Sequence, residues 1–204
     1  MLRRTFAILA LAFAAALPLQ TSGALAQTKT AIFAGGCFWC VESDFDGVPG
    51  VLSTTSGYIG GTTENPTYRN HTAAKHREAV RIEYDSSKVN YTALLDVFWH
   101  SVDPTDDGGQ FCDRGHSYTT AIYAADAQDL AAAEKSKQAA GAELGRPIVT
   151  EIVAAPAFWP AEEYHQDFYR KNPLRYKFYR ANCGRDGRIS EVWGASAHKG
   201  IAAH

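Results

Sequence analysis

The sequence predicts a single α+β domain in which helices flank a mixed sheet. Strand-like and helical segments alternate along most of the chain, and no internal repeat or low-complexity linker separates them. The chain has 204 residues, of which 46% are hydrophobic, and this suits one domain with its own core. These observations favour one domain, or one domain and a tail.

The first half of the chain predicts three strands and two helices. Residues 28–34 are an apolar run that ends at a Gly-Gly turn, which indicates a buried strand. Residues 38–45 have helical spacing and contain no Gly or Pro, so a helix follows the turn. Residues 51–58 are rich in Val, Thr and Ser and favour a strand, whereas the polar residues 66–75 favour a helix. In residues 79–84 apolar and charged side chains alternate, as in a half-buried strand.

The middle of the chain repeats this alternation. Residues 91–102 have helical periodicity, and a polar, Gly-rich loop follows at 103–115. Residues 117–124 favour a strand. Residues 127–144 are rich in Ala and predict a helix that is closed by Gly and Pro, and residues 148–154 predict another strand.

The C-terminal part is less regular. A helix is predicted at residues 161–171, directly after Pro160, and the chain is rich in Gly and Arg from Cys183 onward. Beyond Gly194 we expect little order. The predicted architecture is an α/β two-layer arrangement with a ferredoxin-like core, that is, a mixed sheet with flanking helices and an irregular C-terminal segment.

The N-terminus has the layout of a secretory signal peptide. A basic start precedes an uncharged apolar run at residues 6–17, and Ala-Leu-Ala at 24–26 forms a cleavage site. An uncleaved anchor is the alternative, but the run is short for a bilayer span. We therefore expect residues 1–26 to be a signal peptide, 27–194 the domain and 195–204 a disordered tail, in a secreted or periplasmic protein without membrane attachment after cleavage.

The charge of the chain argues against nucleic-acid binding. The formal net charge is −2, and it becomes −4 after cleavage because two arginines leave with the signal peptide. Such a chain has no basic field to hold phosphates.

The sequence contains four cysteines, Cys37, Cys40, Cys112 and Cys183. In an oxidising compartment the simplest interpretation is structural disulfides, and four cysteines allow three full pairings. A domain of this length folds without such crosslinks, which favours a chemical role for some of these thiols.

Cys37 stands where the first strand passes into a helix. The free N–H groups of a first helical turn and the helix dipole favour negative charge, so we expect the pKa of the Cys37 thiol to be lowered. Two preceding glycines allow a sharp turn and the close approach of a ligand.

Cys40 follows at a spacing that puts both sulfurs on one helix face. Such a C-x-x-C pair is a redox motif or half of a zinc site, and because no second pair follows at finger spacing we expect no metal. The intervening Phe38 and Trp39 are bulky and apolar, and they form a wall suited to an apolar group of a substrate.

The sequence also contains a series of short motifs whose order and spacing are typical of one protein family. In chain order they are Gly36-Cys37-Phe38-Trp39, Gly57-Tyr58-Ile59-Gly60-Gly61, His76-Arg77-Glu78, Asp103-Pro104-Thr105, Asp113-x-Gly115-x-x-Tyr118, Phe158-x-Pro160-Ala161-Glu162-x-Tyr164-His165-Gln166 and Lys171-Asn172-Pro173. This set resembles the type A peptide methionine sulfoxide reductases from about Ile32 to Cys183.

The resemblance implies roles for individual residues. Cys37 attacks the sulfoxide sulfur, Phe38 and Trp39 hold the substrate methyl group, and Glu78 gives a proton to the sulfoxide oxygen. The chemistry itself needs a nucleophile at sulfur and an acid at oxygen, and burial raises a carboxyl pKa toward working pH. Glu78 precedes an apolar strand, which favours partial burial, but on residue type alone it is a solvated charge at the end of a strand, so its role rests on the resemblance.

The resemblance also implies that Tyr58 and Tyr118 hydrogen-bond the sulfoxide oxygen and that Asp113 shapes the polar side of the site. On residue type alone the tyrosines are core residues with satisfied hydroxyls, and Asp113 is a turn residue. Their functional roles therefore rest on the resemblance.

The product at Cys37 is a sulfenic acid, which a second thiol condenses into a disulfide. We expect Cys183 to resolve it first and Cys40 second. Cys40 stands where many relatives have Gly. Cys112 is a structural partner of Cys183, another thiol that could resolve Cys37, or a relay of the disulfide.

The implied reaction is reduction of methionine S-sulfoxide, free or in proteins, by a monomer that needs no bound cofactor and is recycled by a thioredoxin-like reductant. Two alternatives stay open. One is a thiol–disulfide oxidoreductase that uses Cys37 and Cys40, and the other is a disulfide-stapled binding domain.

Overall fold

The computed structural model describes residues 27–202, so the predicted signal peptide, residues 1–26, lies outside the described residues. The strands are β1 Thr28–Ala34, β2 Val51–Ile59, β3 Arg77–Asp85, β4 Gly109–Gln110, β5 Asp113–Arg114, β6 Ala121–Ala124, β7 Glu151–Ala154 and β8 Phe158–Pro160. The α-helices are α1 Phe38–Asp46, α2 Tyr91–Trp99, α3 Ala127–Leu144, α4 Phe168–Lys171, α5 Pro173–Asn182 and α6 Arg185–Trp193. Short 3₁₀ turns occur at His116–Tyr118 and Gly194–Ser196.

One mixed sheet organises the domain, which confirms the predicted α+β class. Its strand order is β7-β6-β1-β3-β2-β8, with β6 and β7 parallel and the other pairs antiparallel. The pairing of β2 with β3 places Tyr58 opposite Glu78 in the register. β4 and β5 form a separate two-stranded ribbon in the loop before β6.

Aromatic packing fixes the first two helices on the sheet. The Phe33 ring of β1 lies 5.4 Å from that of Phe45 in α1 and 5.1 Å from that of Phe98 in α2. All three side chains are fully buried. Because rings of this size bury large apolar areas, the contacts hold α1, through its C-terminal turn, and α2 against β1.

Most predicted elements are confirmed. The structure has helices that overlap the predicted ranges 38–45, 91–102 and 127–144, and strands that overlap 28–34, 51–58, 79–84 and 148–154. The strand predicted at 117–124 begins only at Ala121, because the preceding residues form a 3₁₀ turn.

The helix predicted at 66–75 is wrong, since this segment consists of successive turns. Its side chains bond its own backbone: the Thr67 N–H donates to Asn70 Oδ1 at 2.7 Å, and the His71 ring donates to the Tyr68 carbonyl at 2.9 Å. Such local bonds compete with a continuous helical ladder.

The helix predicted at 161–171 is limited to its last turn, Phe168–Lys171. Asp167 has a φ of 51°, which a helix does not tolerate. In the preceding turn the Gln166 side chain bonds both the N–H and the carbonyl of Ser56, each at 2.9 Å. This turn therefore clamps β2 instead of forming a helix.

The C-terminal segment is more ordered than expected, because α5 and α6 are helical and residues 195–202 contact the domain. The His198 N–H donates to the His100 carbonyl and the Ala202 N–H to the Gly47 carbonyl. Ile201 packs against the main core. Within residues 27–202 the helices are too short or too polar to span a bilayer.

Candidate active site

Cys37 occupies the turn between β1 and α1 as the N-cap residue of the helix. Its carbonyl accepts the first helical N–H bonds, and the thiol is free. The preceding Gly36 has a φ of 88°, and a Cβ built there would lie 2.7 Å from Gln110 Cβ. A glycine is required at this position by both conformation and space, as the Gly-Gly motif predicts.

The thiol opens into a small cavity of about 50 Å³. The residues that line it are Cys37, Phe38, Trp39, Tyr68, Glu78, Asp113, Tyr118 and Tyr179. The structure thus brings together a nucleophile, two carboxyl groups and an aromatic wall.

Glu78 lines this cavity and is 2% exposed. Burial, with a smaller contribution from Asp113, raises its pKa to about 8. The Phe38 N–H, which donates to Oε2 at 3.0 Å, and the Tyr118 hydroxyl stabilise the carboxylate and moderate this rise. At pH 7 the carboxyl group is therefore mostly protonated, as the chemistry requires.

Cys37 and Cys40 are both buried, and their thiols hydrogen-bond each other. Burial and the adjacent Cys40 raise the pKa of Cys37, so the expectation of a lowered value is wrong. One physical reason is that the first-turn N–H of Phe38 bonds Glu78 instead of the sulfur. The pKa of Cys40 is lowered by the bond from Cys37 and then by Arg185 and Arg180.

The aromatic wall is held by stacking and by one hydrogen bond. The Trp39 ring stacks on Phe168 with centroids 3.7 Å apart, and its indole N–H donates to His165 Nδ1 at 3.1 Å. The Phe38 ring lies 5.0 Å from the same imidazole. Both rings therefore have fixed orientations beside the sulfur.

The polar side of the cavity leads to the second cysteine pair. The Tyr179 hydroxyl donates to Asp113, and Cys183 Sγ lies 3.9 Å from the same carboxylate. Cys183 forms a disulfide with Cys112, the pairing considered for a structural bridge. Cys112 is exposed, so the bridge reaches from the cavity to the surface.

The family model of the peptide methionine sulfoxide reductases matches residues 29–197. This chain belongs to that family. It is an oxidoreductase of the type A class, and it reduces methionine sulfoxide.

Similar proteins agree over nearly the whole chain. Peptide methionine sulfoxide reductase MsrA 2 of Rhizobium meliloti is 51% identical over 202 residues, which cover 99% of this chain and 100% of that protein. The MsrA of Bacillus subtilis is 52% identical over 83% of this chain and 98% of its own. Methionine sulfoxide reductase A of Corynebacterium diphtheriae has a similar structure, with a TM-score of 0.69 and 34% identity over 72% of this chain and 76% of that chain.

One residue predicted for the site of this reductase lies elsewhere. Tyr58 is fully buried outside the cavity lining, and its hydroxyl donates to Glu162 at 2.8 Å. Sequence reasoning missed Tyr68 and Tyr179, which line the cavity. Tyr68 lies in the segment mistaken for a helix, and Tyr179 lies in a helix that was not predicted, so no pattern marked either residue.

The remaining predicted site residues are placed as follows. Cys37, Phe38, Trp39, Glu78, Asp113 and Tyr118 line the cavity, Cys40 lies directly beneath it, and Cys183 lies beside Asp113. Within residues 27–202 one group has the residue types of a metal site, Cys112, Asp113 and Cys183. Its two sulfurs bond each other, so a single carboxylate is left.

Proposed function

We propose that this reductase converts the S epimer of methionine sulfoxide, free or in proteins, to methionine with Cys37 as nucleophile and Glu78 as acid. The observation that carries this proposal is a free thiol sharing a small cavity with a carboxyl group that is protonated at neutral pH. The rings of Phe38 and Trp39 supply an apolar surface for the substrate methyl group.

The proposed first step moves the sulfoxide oxygen from the substrate to Cys37. The Cys37 thiolate attacks the sulfoxide sulfur while Glu78 protonates the oxygen. The bond formed between the two sulfurs and the S–O bond of the substrate then both break, and the hydroxyl is transferred to Cys37, whose sulfur gives up two electrons. The substrate sulfur gains two electrons, and the products are methionine, a Cys37 sulfenic acid and the Glu78 carboxylate. In this step Tyr118 and Asp113 hold the polar side of the cavity.

A substrate assay tests this step. With dithiothreitol as reductant and resolved epimers, only the S epimer is expected to disappear, and Cys37→Ser is expected to abolish the reaction. Cys112→Ser is the matched control, because it removes a thiol outside the cavity and leaves the first methionine unchanged. Consumption of the R epimer alone, or activity in Cys37→Ser, would contradict the proposal.

The resolving thiol is best assigned to Cys40, in contrast to the order expected from sequence. Its sulfur is within hydrogen-bond reach of Cys37, and the positive charges of Arg185 and Arg180, which lower its pKa independently of the Cys37 thiol, favour the attacking thiolate. Cys183 is bonded to Cys112. We infer that Cys40 attacks the sulfenic acid and releases water. Once the reductant has converted the Cys112–Cys183 bridge to two thiols, this pair reduces the new Cys37–Cys40 disulfide and becomes a disulfide again.

Mass spectrometry of the oxidised protein distinguishes the two orders. Cys40→Ser is expected to slow the loss of sulfenic acid at least tenfold, whereas Cys183→Ser leaves the rate of the first disulfide unchanged. The reverse pattern would restore Cys183 as the first resolving residue.

A thioredoxin-like dithiol is the proposed reductant, and it enters at the exposed Cys112. Its thiolate attacks Cys112 Sγ and releases Cys183, and its second thiol then frees Cys112 and leaves the reductant oxidised. A thioredoxin variant without its resolving thiol is expected to trap a mixed disulfide at Cys112. Trapping at Cys183 instead would contradict this direction of attack.

The proposed cellular setting is the periplasm or the exterior, with residues 1–26 removed and the mature chain a monomer. The support is the sequence layout of the first 26 residues. N-terminal sequencing of the fractionated protein is expected to begin at Gln27, and light scattering to give the monomer mass. A cytoplasmic protein that starts at Met1, or a dimer mass, would overturn the respective statement.

A further inference from the structure

The proposed chemistry requires that the Glu78 carboxylate is protonated again during each turnover, and the cavity itself contains no source for this proton. Glu78 gives up a proton when the sulfenic acid forms, and a second proton is needed when Cys40 expels hydroxide from that sulfenic acid as water. Glu78 is 2% exposed and faces a cavity of about 50 Å³ that the substrate occupies. The carboxylate therefore needs a proton from another side within each turnover.

His71 lies on that other side. Its Nε2 is 3.7 Å from Glu78 Oε1, whereas Oε2 is the oxygen bonded by the Phe38 N–H at the start of α1. The imidazole is 2% exposed, and the Tyr58 ring stacks on it with centroids 4.9 Å apart. The ring is thus held in place beside the carboxyl group, outside the substrate cavity.

The hydrogen bonds of His71 define which nitrogen faces the acid. Nδ1 donates to the Tyr68 carbonyl at 2.9 Å, because a carbonyl oxygen only accepts. In the neutral ring Nε2 is then an acceptor. Burial lowers the pKa of His71, and the charges of His76 and Glu162 act on it in opposite directions. The neutral ring is the resting form at pH 7.

Thr72 connects this nitrogen to the solvent. Its hydroxyl lies 3.2 Å from His71 Nε2, and Thr72 is exposed while its neighbour His71 is buried. The hydroxyl of the buried Ser117 also bonds Thr72, at 3.4 Å. Hydroxyl groups thus lead from the surface to His71 Nε2, and this nitrogen lies 3.7 Å from Glu78 Oε1, a gap that a small movement of the imidazole closes when a proton is passed.

We propose that His71 is a proton relay that returns a solvent proton to Glu78 by way of Thr72. Nε2 takes a proton from water through the Thr72 hydroxyl, and the resulting imidazolium gives its proton to Oε1. The ring returns to its neutral form, no electrons move, and the net change is one proton from solvent to the Glu78 carboxylate. This assignment rests on the proposed function, since it needs Glu78 as the acid.

Transient kinetics of His71→Gln tests the relay. Glu78 is already protonated before the first turnover, so the first methionine is expected to form at the wild-type rate. Without His71, the Glu78 carboxylate regains a proton slowly after the first step. Loss of the sulfenic acid is therefore expected to slow at least tenfold and to recover when free imidazole is added. A structural role would slow both events together, and equal slowing, or no slowing of either event, would overturn the relay.

Variants of the exposed Thr72 and of the buried His76 separate an effect on the relay from an effect on folding. Thr72→Val removes the hydroxyl at the surface and is expected to slow sulfenic acid loss, whereas Thr72→Ser keeps it and behaves as wild type. His76→Gln removes another buried histidine, one that bonds the Gly61 N–H and the Thr63 carbonyl, and leaves the ratio of the two rates unchanged. A normal Thr72→Val rate would refute the relay, whereas a wild type that releases no methionine would refute the proposed function.

Discussion

At the scale of single residues, the site is governed by where three acidic protons reside. Burial raises the pKa of Glu78 to about 8 and raises that of Cys37 well above its usual value. The reactive combination, a Cys37 thiolate beside a protonated Glu78, is therefore a small fraction of the enzyme at pH 7. Cys40 has a lowered pKa and is the thiol that ionises more easily, which suits the resolving role proposed for it.

This order of pKa values predicts the pH dependence of the first turnover. Below about pH 8 the thiolate fraction of Cys37 rises with pH while Glu78 stays protonated, so the rate of methionine formation rises. Above about pH 8 the gain in thiolate is offset by the loss of the Glu78 proton, so the rate levels off. In Glu78→Gln the rate is expected to drop by about 10²–10⁴-fold. The residual rate then keeps rising through pH 8, and a retained break would show that another group titrates.

Tyr118 and Tyr58 make a matched pair at the same scale. The Tyr118 hydroxyl stabilises the Glu78 carboxylate, so Tyr118→Phe is expected to raise the pKa of Glu78 further. A hydrogen bond to a charged group contributes about 1.5–3 kcal/mol, so the break in the pH–rate profile moves up by about one unit or more. Tyr58→Phe loses only the bond to Glu162 and leaves the break in place. A shift in Tyr58→Phe instead would return that residue to the site.

At the scale of elements, hydrophobic periodicity correctly predicted the strands and helices that are stabilised mainly by burial of an apolar face. The strands at 28–34 and 79–84 and the helix beginning after Cys37 are confirmed, because their apolar patterns match the faces they bury. The Gly-Gly turn was recognisable for the same kind of reason, since only glycine takes the backbone angles and the close contact at Gly36. Together these features predicted that Cys37 lies at the turn between the first strand and the first helix, where the structure has it.

The sequence patterns did not predict the hydrogen bonds between polar side chains and the backbone. The segment that carries Tyr68 and His71 has a helix-like composition, but its polar side chains bond nearby backbone groups and hold a series of turns. Gln166 acts in the same way on Ser56. The partners of these bonds depend on the tertiary fold, so Tyr68 was missed and Tyr58 was placed in the site in error.

The turn that contains His165 gives a prediction for the aromatic wall. His165→Phe removes the acceptor of the Trp39 indole N–H, and a buried donor without a partner costs about 1–3 kcal/mol. We expect lower stability in urea and a higher KM for methionine sulfoxide, because the wall beside Cys37 loses its fixed orientation. His165→Gln offers an acceptor oxygen and is expected to recover part of both losses. Equal KM values in all three proteins would show that the bond does not position Trp39.

At the scale of the whole molecule, the disulfide connects two parts that the sheet does not join. Cys112 lies in the loop around β4 and β5, and Cys183 ends α5, the helix that brings Tyr179 to the cavity. The residue Arg185, just beyond, is fully buried and bonds the carbonyls of Gly35 and Ser101. The C-terminal region is therefore part of the site wall, and its anchoring contributes to both stability and redox chemistry.

The bridge closes a loop with a sequence separation of 71 residues, so its removal has a predictable effect on stability. In the chain-entropy description a crosslink over such a loop contributes about 4 kcal/mol by restricting the unfolded chain. The double variant Cys112→Ser/Cys183→Ser is expected to unfold at lower urea concentration than the oxidised wild type and at nearly the same concentration as the reduced wild type. The matched variant Cys37→Ser/Cys40→Ser keeps the bridge and is expected to retain the wild-type sensitivity to reductant. Identical urea midpoints for oxidised and reduced wild type would mean that the bridge serves electron transfer without supporting the fold.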